Sequence, residues 1–281
     1  MARSGWIFPV IEKTFPRSMR WMGLTKVPIL KRLIEYMFFE GDHLIVLPRN
    51  EVVEVNRDVD DPGQMALPTE LVDQLIDSME YHFVMDFCLC RISMPCEDYP
   101  RDLGCIFMGE AARGINPNWG RSVSKEEAKE HIHKCQEAGL IHAVGKSKLD
   151  TVWLGIGPGE KLLTICNCCP CCCITRVIPH THEVFQEKLV RAPGVEVMVN
   201  QEECVGCGTC VSKACILEAI SLVDGKAVIN QANCRGCGRC AEACPTNAIT
   251  LTIDGSLFVQ ESVRQIGAVV SFESEQAAAS G

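Results

Sequence analysis

No apolar run in this chain approaches the eighteen or so residues that could span a bilayer. Its first thirty residues are broken by Pro9, Pro16 and Pro28 and by scattered charges, unlike a secretory leader. These two absences predict a cytoplasmic protein. Basic charge is also short: 27 Lys and Arg stand against 36 Asp and Glu, a formal net charge of −9. Nucleic-acid binding needs a basic footprint, so no nucleic-acid partner is expected. Organic cofactor motifs are missing too. There is no G-x-G-x-x-G, and Gly155, Gly157 and Gly159 precede Lys161 without the G-x4-G-K-[ST] spacing of a phosphate loop, so they read as a plain turn. No nucleophile and base stand out as a pair.

What the chain has is cysteine, nineteen in 281 residues. In a secreted protein that would suggest disulfides, but a reducing, anoxic compartment suits so many thiols better. Eight of them fall in two matched runs, C-V-G-C-G-T-C-V-S-K-A-C from Cys204 to Cys215 and C-R-G-C-G-R-C-A-E-A-C-P from Cys234 to Pro245. Glycines between the cysteines let the backbone turn sharply and point N–H groups at sulfide. The unit is duplicated: Ala219-Ile220-Ser221 recurs as Ala248-Ile249-Thr250, which is the sequence form of a pseudo-twofold fold. Zinc is the alternative reading of C-x2-C pairs. Three cysteines in C-x2-C-x2-C plus a fourth, twice over, favour iron–sulfur.

Residues 195–255 resemble the bacterial-type ferredoxins that carry two [4Fe-4S] clusters. The resemblance implies that Cys204, Cys207, Cys210 and Cys244 hold one cluster, and Cys234, Cys237, Cys240 and Cys215 the other. One departure stands out. Three residues separate Cys240 from Cys244, but four separate Cys210 from Cys215. Ligation by Cys215 is expected, with the extra residue absorbed in a looser turn before a helix containing Leu217 and Ala219.

A second constellation lies upstream. Cys88, Cys90, Cys96 and Cys105 precede C-N-C-C-P-C-C-C, which supplies Cys166, Cys168, Cys169, Cys171, Cys172 and Cys173. Burial as a small hydrophobe accounts for Cys135 alone on its helix, but not for six cysteines in eight residues. Disulfides between adjacent cysteines are strained. Metal ligation fits, and one or more further iron–sulfur clusters are expected. Pro170 is expected to split the run, with Cys166, Cys168 or Cys169 joining the upstream thiols and Cys171 to Cys173 facing elsewhere. The C-x-C-R, G-C-I-F-M-G-E-A-A, E-A-G-L-I-H and C-N-C-C-P-C-C-C segments look like the N-terminal half of ferredoxin-fused iron–sulfur proteins of anaerobes. The histidines 131, 133, 180 and 182 lie on polar segments, are expected to be solvated, and receive no metal role.

The expected fold class is α+β. Residues 1–42 read as an amphipathic, basic N-terminal segment, with a helix from Pro28 to Glu40. Residues 43–180 read as a small helix and antiparallel-hairpin domain of winged-helix outline. Its parts are paired strands His43–Leu47 and Val52–Val55, a helix from Thr69 to Phe87, a capped helix from Ser124, and a hairpin of Leu140–Val144 with Thr151–Leu154. Residues 181–194 read as a linker, 195–260 as the ferredoxin-like unit and 261–281 as a tail. Residues 1–49 carry eight Lys and Arg against four Asp and Glu. That polarity suits docking to a protein redox partner, to a subunit of an oxidoreductase complex, or to a membrane surface. The expected function is electron transfer, as a multi-cluster carrier or wiring subunit rather than a stand-alone enzyme. The alternative is a reductase whose ferredoxin-like domain feeds a reactive cluster in the N-terminal half.

Overall fold

Short β-branched and aromatic runs in the first two thirds of the chain build one broad sheet, not the helix-plus-hairpin unit expected there. The computed structural model describes residues 5–49, 53–55, 67–94 and 96–273. The strands are β1 His43–Val46, β2 Val53–Val55, β3 His82–Met85, β4 Ile106–Met108, β5 Gly120–Val123, β6 Ile141–Lys146, β7 Leu163–Cys168, β8 Leu189–Arg191, β9 Val195–Val199, β10 Ile220–Val223, β11 Lys226–Ile229 and β12 Ile249–Ile253. The helices are α1 Phe8–Trp21, α2 Pro28–Ile34, α3 Leu67–Asp77, α4 Leu89–Ser93, α5 Lys125–Glu137, α6 Lys148–Leu154, α7 Glu183–Gln186, α8 Arg239–Glu242 and α9 Gly255–Gly267. The mixed content agrees with an α+β class. Among the described residues no helix is long and apolar enough to cross a membrane.

Seven strands form the large sheet in the order β5-β3-β4-β7-β6-β1-β8, with β8 parallel to β1 and every other pair antiparallel. Because of those directions, the ends of β1, β3, β7 and β8 and the starts of β4 and β6 lie at one end of the sheet. The upstream cysteines sit there. β9 pairs with β12 and β10 with β11, so each pair joins one strand from each half of the duplicated unit.

Several expectations are corrected. The run Thr151–Leu154 is helical, because Ser147 accepts the Asp150 N–H at 3.4 Å and Gly155 closes the other end in a left-handed conformation. Ser147-Lys148-Leu149-Asp150 is a capping signal that outweighs the β-branched content. The helix expected to run to Phe87 stops at Asp77, where the Ser78 hydroxyl turns back to Leu75 O at 2.7 Å, and β3 follows. β2 does not pair with β1; it lies parallel to β12 on the edge of the ferredoxin-like sheet. Strand partners are a tertiary choice that local propensity does not fix. The stretch read as a linker carries α7 and β8, and residues 261–267 belong to α9. The capping box at Ser124 and Glu127 forms as expected. The N-terminal helix starts at Pro28 and continues as a wider turn over Glu35–Phe39.

The two parts of the chain share one core. Leu71, Leu75 and Ile76 of α3, Val144 and Ile165 of the large sheet, and Leu251, Phe258 and Ile266 belong to a continuous buried cluster. α9 packs on α3. Phe258, fully buried at this junction, provides a test. Phe258→Ala should cost about 3–5 kcal/mol and move a single cooperative calorimetric transition that includes the large sheet. A variant with one half melting early and the other unchanged would show two independent domains.

Candidate metal centres

The duplicated unit presents its cysteines on two tight loops. Gly206 and Gly236 sit at φ +69° and +68°, where a side chain is strained. A Cβ on Gly206 would also stand 1.9 Å from Gly225 O. Cys204, Cys207, Cys210 and Cys244 line one cavity together with Leu222, Ala227 and Ile249. The Ala227 N–H points at Cys204 Sγ at 3.4 Å. Cys215, Cys234, Cys237 and Cys240 gather as the second set, close enough that each of the others raises the Cys240 thiol, after burial itself. Burial pushes Cys237 up to about 11.

The extra residue before Cys215 is taken up in a widened turn over Cys210–Ala214, closed by Cys215 N–H to Cys210 O at 3.1 Å. Such one-residue insertions into a helical turn recur at functional sites. The corresponding turn of the second half, α8, is an ordinary α-turn. The expected helix around Leu217 and Ala219 is absent. The chain turns directly into β10, with the Ala219 N–H donating to Cys215 Sγ at 3.3 Å.

The upstream cysteines form two groups, divided differently from the expectation. Cys96, Cys169, Cys171 and Cys172 bring their sulfurs within 4.8 Å of one another. Cys88 neighbours Cys90, Cys90 neighbours Cys173, and Cys173 neighbours Cys168, each pair close enough to shift the other's ionisation. Cys105 lies 3.8 Å from Cys166 and completes a six-thiol group. Pro170 therefore does not split the run into halves: Cys173 turns back to Cys168, while Cys169 joins Cys171 and Cys172. Alternation along β7 puts Cys166 and Cys168 on one face, and the turn after it reverses the rest. Cys135 is buried beside the four-thiol group without belonging to it.

Proton sharing marks the six-thiol group. Contact with Cys90 lowers Cys88 to about 7, and contacts with Cys168 and Cys90 hold Cys173 far below an ordinary thiol. Cys173 raises Cys90 and Cys168, and Cys105 raises Cys166, each together with burial. Thiols this close cannot all ionise unless a cation joins them. A cluster or metal ion would supply that cation, so the donor set fits one.

Sequence reasoning missed Arg91. Its side chain is wholly buried between the two groups. It donates to Asn167 O at 2.8 Å and to Leu103 O, while its Nε has no hydrogen-bond partner. Burial works against its charge, and the neighbouring Cys88, Cys169 and Cys105 thiols favour it. Also missed were His131, buried and bonded to Gly104 O at 2.9 Å rather than solvated, and His142, bonded to Asn167 Oδ1 at 2.8 Å. Burial lowers the His142 ring to about 4. Both histidines carry structural hydrogen bonds around the cysteine end of the sheet.

The second ferredoxin-like loop docks on this same end through arginines. Arg239 donates to Gly139 O at 3.0 Å and Cys168 O at 3.3 Å, and Arg235 donates to Gln186 O at 2.9 Å. The Arg49 N–H donates to Cys237 O at 3.3 Å. The signal was present: Arg235 and Arg239 replace Val205 and Thr209 of the first repeat.

Residues 227–250 match the family Fer4, the 4Fe-4S binding domain, over a stretch that includes Cys234, Cys237, Cys240 and Cys244. No curated protein sequence matches the chain. The match and the cysteine richness support an iron–sulfur electron-transfer role.

Arg91 generates the test for the upstream thiols. Arg91→Met keeps length and removes the charge, which leaves buried thiolates uncompensated. The variant should lose upstream iron and keep the EPR signals of the duplicated unit. Full iron retention would show that the thiols need no internal cation.

Proposed function

We propose that this chain is a multi-cluster electron-transfer protein. It would act as a carrier or as the wiring subunit of an oxidoreductase. In this reading Cys204, Cys207, Cys210 and Cys244 ligate one [4Fe-4S] cluster, and Cys234, Cys237, Cys240 and Cys215 another. The six-thiol group of Cys88, Cys90, Cys105, Cys166, Cys168 and Cys173 ligates a further one. Such clusters supply one-electron chemistry at potentials set by charge, hydrogen bonds to sulfur and exposure. The observation that carries the reading is the Arg239 contact. The residue preceding Cys240 is hydrogen-bonded to the carbonyl of Cys168, itself one of the upstream thiols. The second set and the six-thiol group are thereby linked through one arginine side chain and a single hydrogen bond.

The first set is the outer end of the line. Cys207 is exposed, and Val205 and Leu222 beside it, with Val223 and Val228 on the β10–β11 hairpin, are exposed apolar residues. Such a surface suits transient docking of a redox partner. The basic N-terminal segment offers a second docking surface. Phe8 packs on Phe87 and Trp119 at ring distances of 4.8 and 5.7 Å, holding α1 to the body. Trp6, Trp21 and Ile29 remain outside, 72%, 66% and 81% exposed. A protein partner or a membrane surface would engage them, more weakly as salt rises.

The alternative, a reductase with a reactive upstream cluster, draws support from a surface cavity lined by Arg49, His133, Gln136, Glu137, Leu140 and His142. It lies beside the peptide that contacts Cys237.

The test is iron and labile-sulfide quantitation with EPR on anaerobically purified protein. Three clusters should give about twelve iron atoms carrying sulfide. No more than eight would remove the upstream cluster and the wiring role. Cys215→Ser should damage the set around Cys234 and spare the set around Cys204. A three-iron EPR signal in unoxidised wild-type protein would place Cys215 outside the ligand set.

A further inference from the structure

The four-thiol group differs from the other cysteine sets in its spacing. Among the described residues, which include all nineteen cysteines, it is the one group in which three or more thiols lie within 4.8 Å of each other. No three thiols of either ferredoxin-like set stand so close, nor do three of the six-thiol group. A cube gives each of its four thiolates a separate iron, so the sulfurs are held apart. A single tetrahedral ion with metal–sulfur bonds of about 2.3 Å draws four sulfurs to about 3.8 Å from one another. Cys96 and Cys171 already stand 3.2 Å apart. The same fold thus holds wide sets and one tight set.

We infer that Cys96, Cys169, Cys171 and Cys172 bind one divalent metal ion of the zinc class as a closed tetrathiolate site, separate from any iron–sulfur cluster. Tetrahedral sulfur-only ligation is the set zinc takes in structural sites. The surroundings agree with such a role. The group packs among Met94, Tyr99, Leu103, Ala138, Leu140 and Cys135, and four thiolates fill a tetrahedral ion's coordination, leaving no open position for a substrate. Anionic sulfur is met by N–H groups: Cys172 N–H donates to Cys169 Sγ at 3.4 Å, and the backbone at Tyr99 and Asp98 faces Cys96 Sγ. Arg91 places its positive charge beside Cys169. The ion would fix the loop after α4 to the turn after β7, and so hold Cys88, Cys90, Cys168 and Cys173 in register on the other side of Arg91. The site stands on the thiol geometry and does not depend on the electron-transfer reading.

The test uses the full chain purified without oxygen, with metal and labile-sulfide analysis and X-ray absorption at the zinc edge. One zinc per chain with four sulfur neighbours at about 2.3 Å and no metal neighbour is expected. One iron in excess of labile sulfide would equally support a single-ion site. Cys172→Ser should release that one ion, Cys135→Ser should keep it, and Cys88→Ser should lose iron and sulfide while keeping it. Wild-type protein with no zinc and equal iron and sulfide would overturn the inference. So would a Cys96–Cys171 disulfide, or a Cys172→Ser variant losing iron and sulfide together. If Cys172→Ser fails to fold, the wild-type absorption spectrum still decides.

Discussion

A guanidinium removed from water needs an anion, and for Arg91 the groups that favour its charge are the Cys88, Cys169 and Cys105 thiols. The ideal cost of burying such a charge is several kcal/mol even after relaxation, and its two carbonyl partners offset part of it. Ionised sulfur would offset the rest, and sulfur ionised at this density would call for a metal. On the proposed reading the cysteine end of the large sheet is held by interdependent charges: the arginine favours thiolates, the thiolates would take metal, and a metal–thiolate core would in turn favour the buried arginine. Zinc or iron bound there would contribute folding free energy directly, because the unfolded chain offers no such site. Asn167 ties the arrangement to the strands: its carbonyl takes Arg91, its side-chain oxygen takes His142, and its amide donates to Gly104 O at 2.7 Å.

The C-terminal unit was legible because its chemistry is local. Cysteine spacing and glycine at left-handed positions act within a dozen residues, and the internal repeat declares itself within about thirty. The upstream half was legible only in part. The convergence of the 88–105 and 166–173 cysteines could be anticipated, since both follow apolar runs that end together. How the thiols divide could not, because it depends on a turn after Cys168 and on a buried arginine two strands away. Arg91 stood in plain sight as C-L-C-R, but a positive charge beside cysteines reads equally as surface. Only burial separates the two.

The large sheet escaped for a related reason. Its strands are three to six residues long, too short for a period-2 pattern to declare itself. Their partners are far apart in sequence, with β1 between β6 and β8. The repeat within the C-terminal unit held a further clue in its exceptions. Where the two loops differ, Val205 and Thr209 against Arg235 and Arg239, the first loop faces solvent and the second faces protein. A broken symmetry in a duplicated unit marks the side on which something else is attached.

The short strand β2 has a temporal consequence. It emerges early in synthesis but pairs with β12, some two hundred residues later in the chain, and α3 waits in the same way for α9. A contact of that sequence separation pays a large loop-closure cost before it is rewarded, which slows folding. On the ribosome, the N-terminal half is exposed without its last strand partner and last helix until the duplicated unit has been made. Its thiols must stay reduced through that interval.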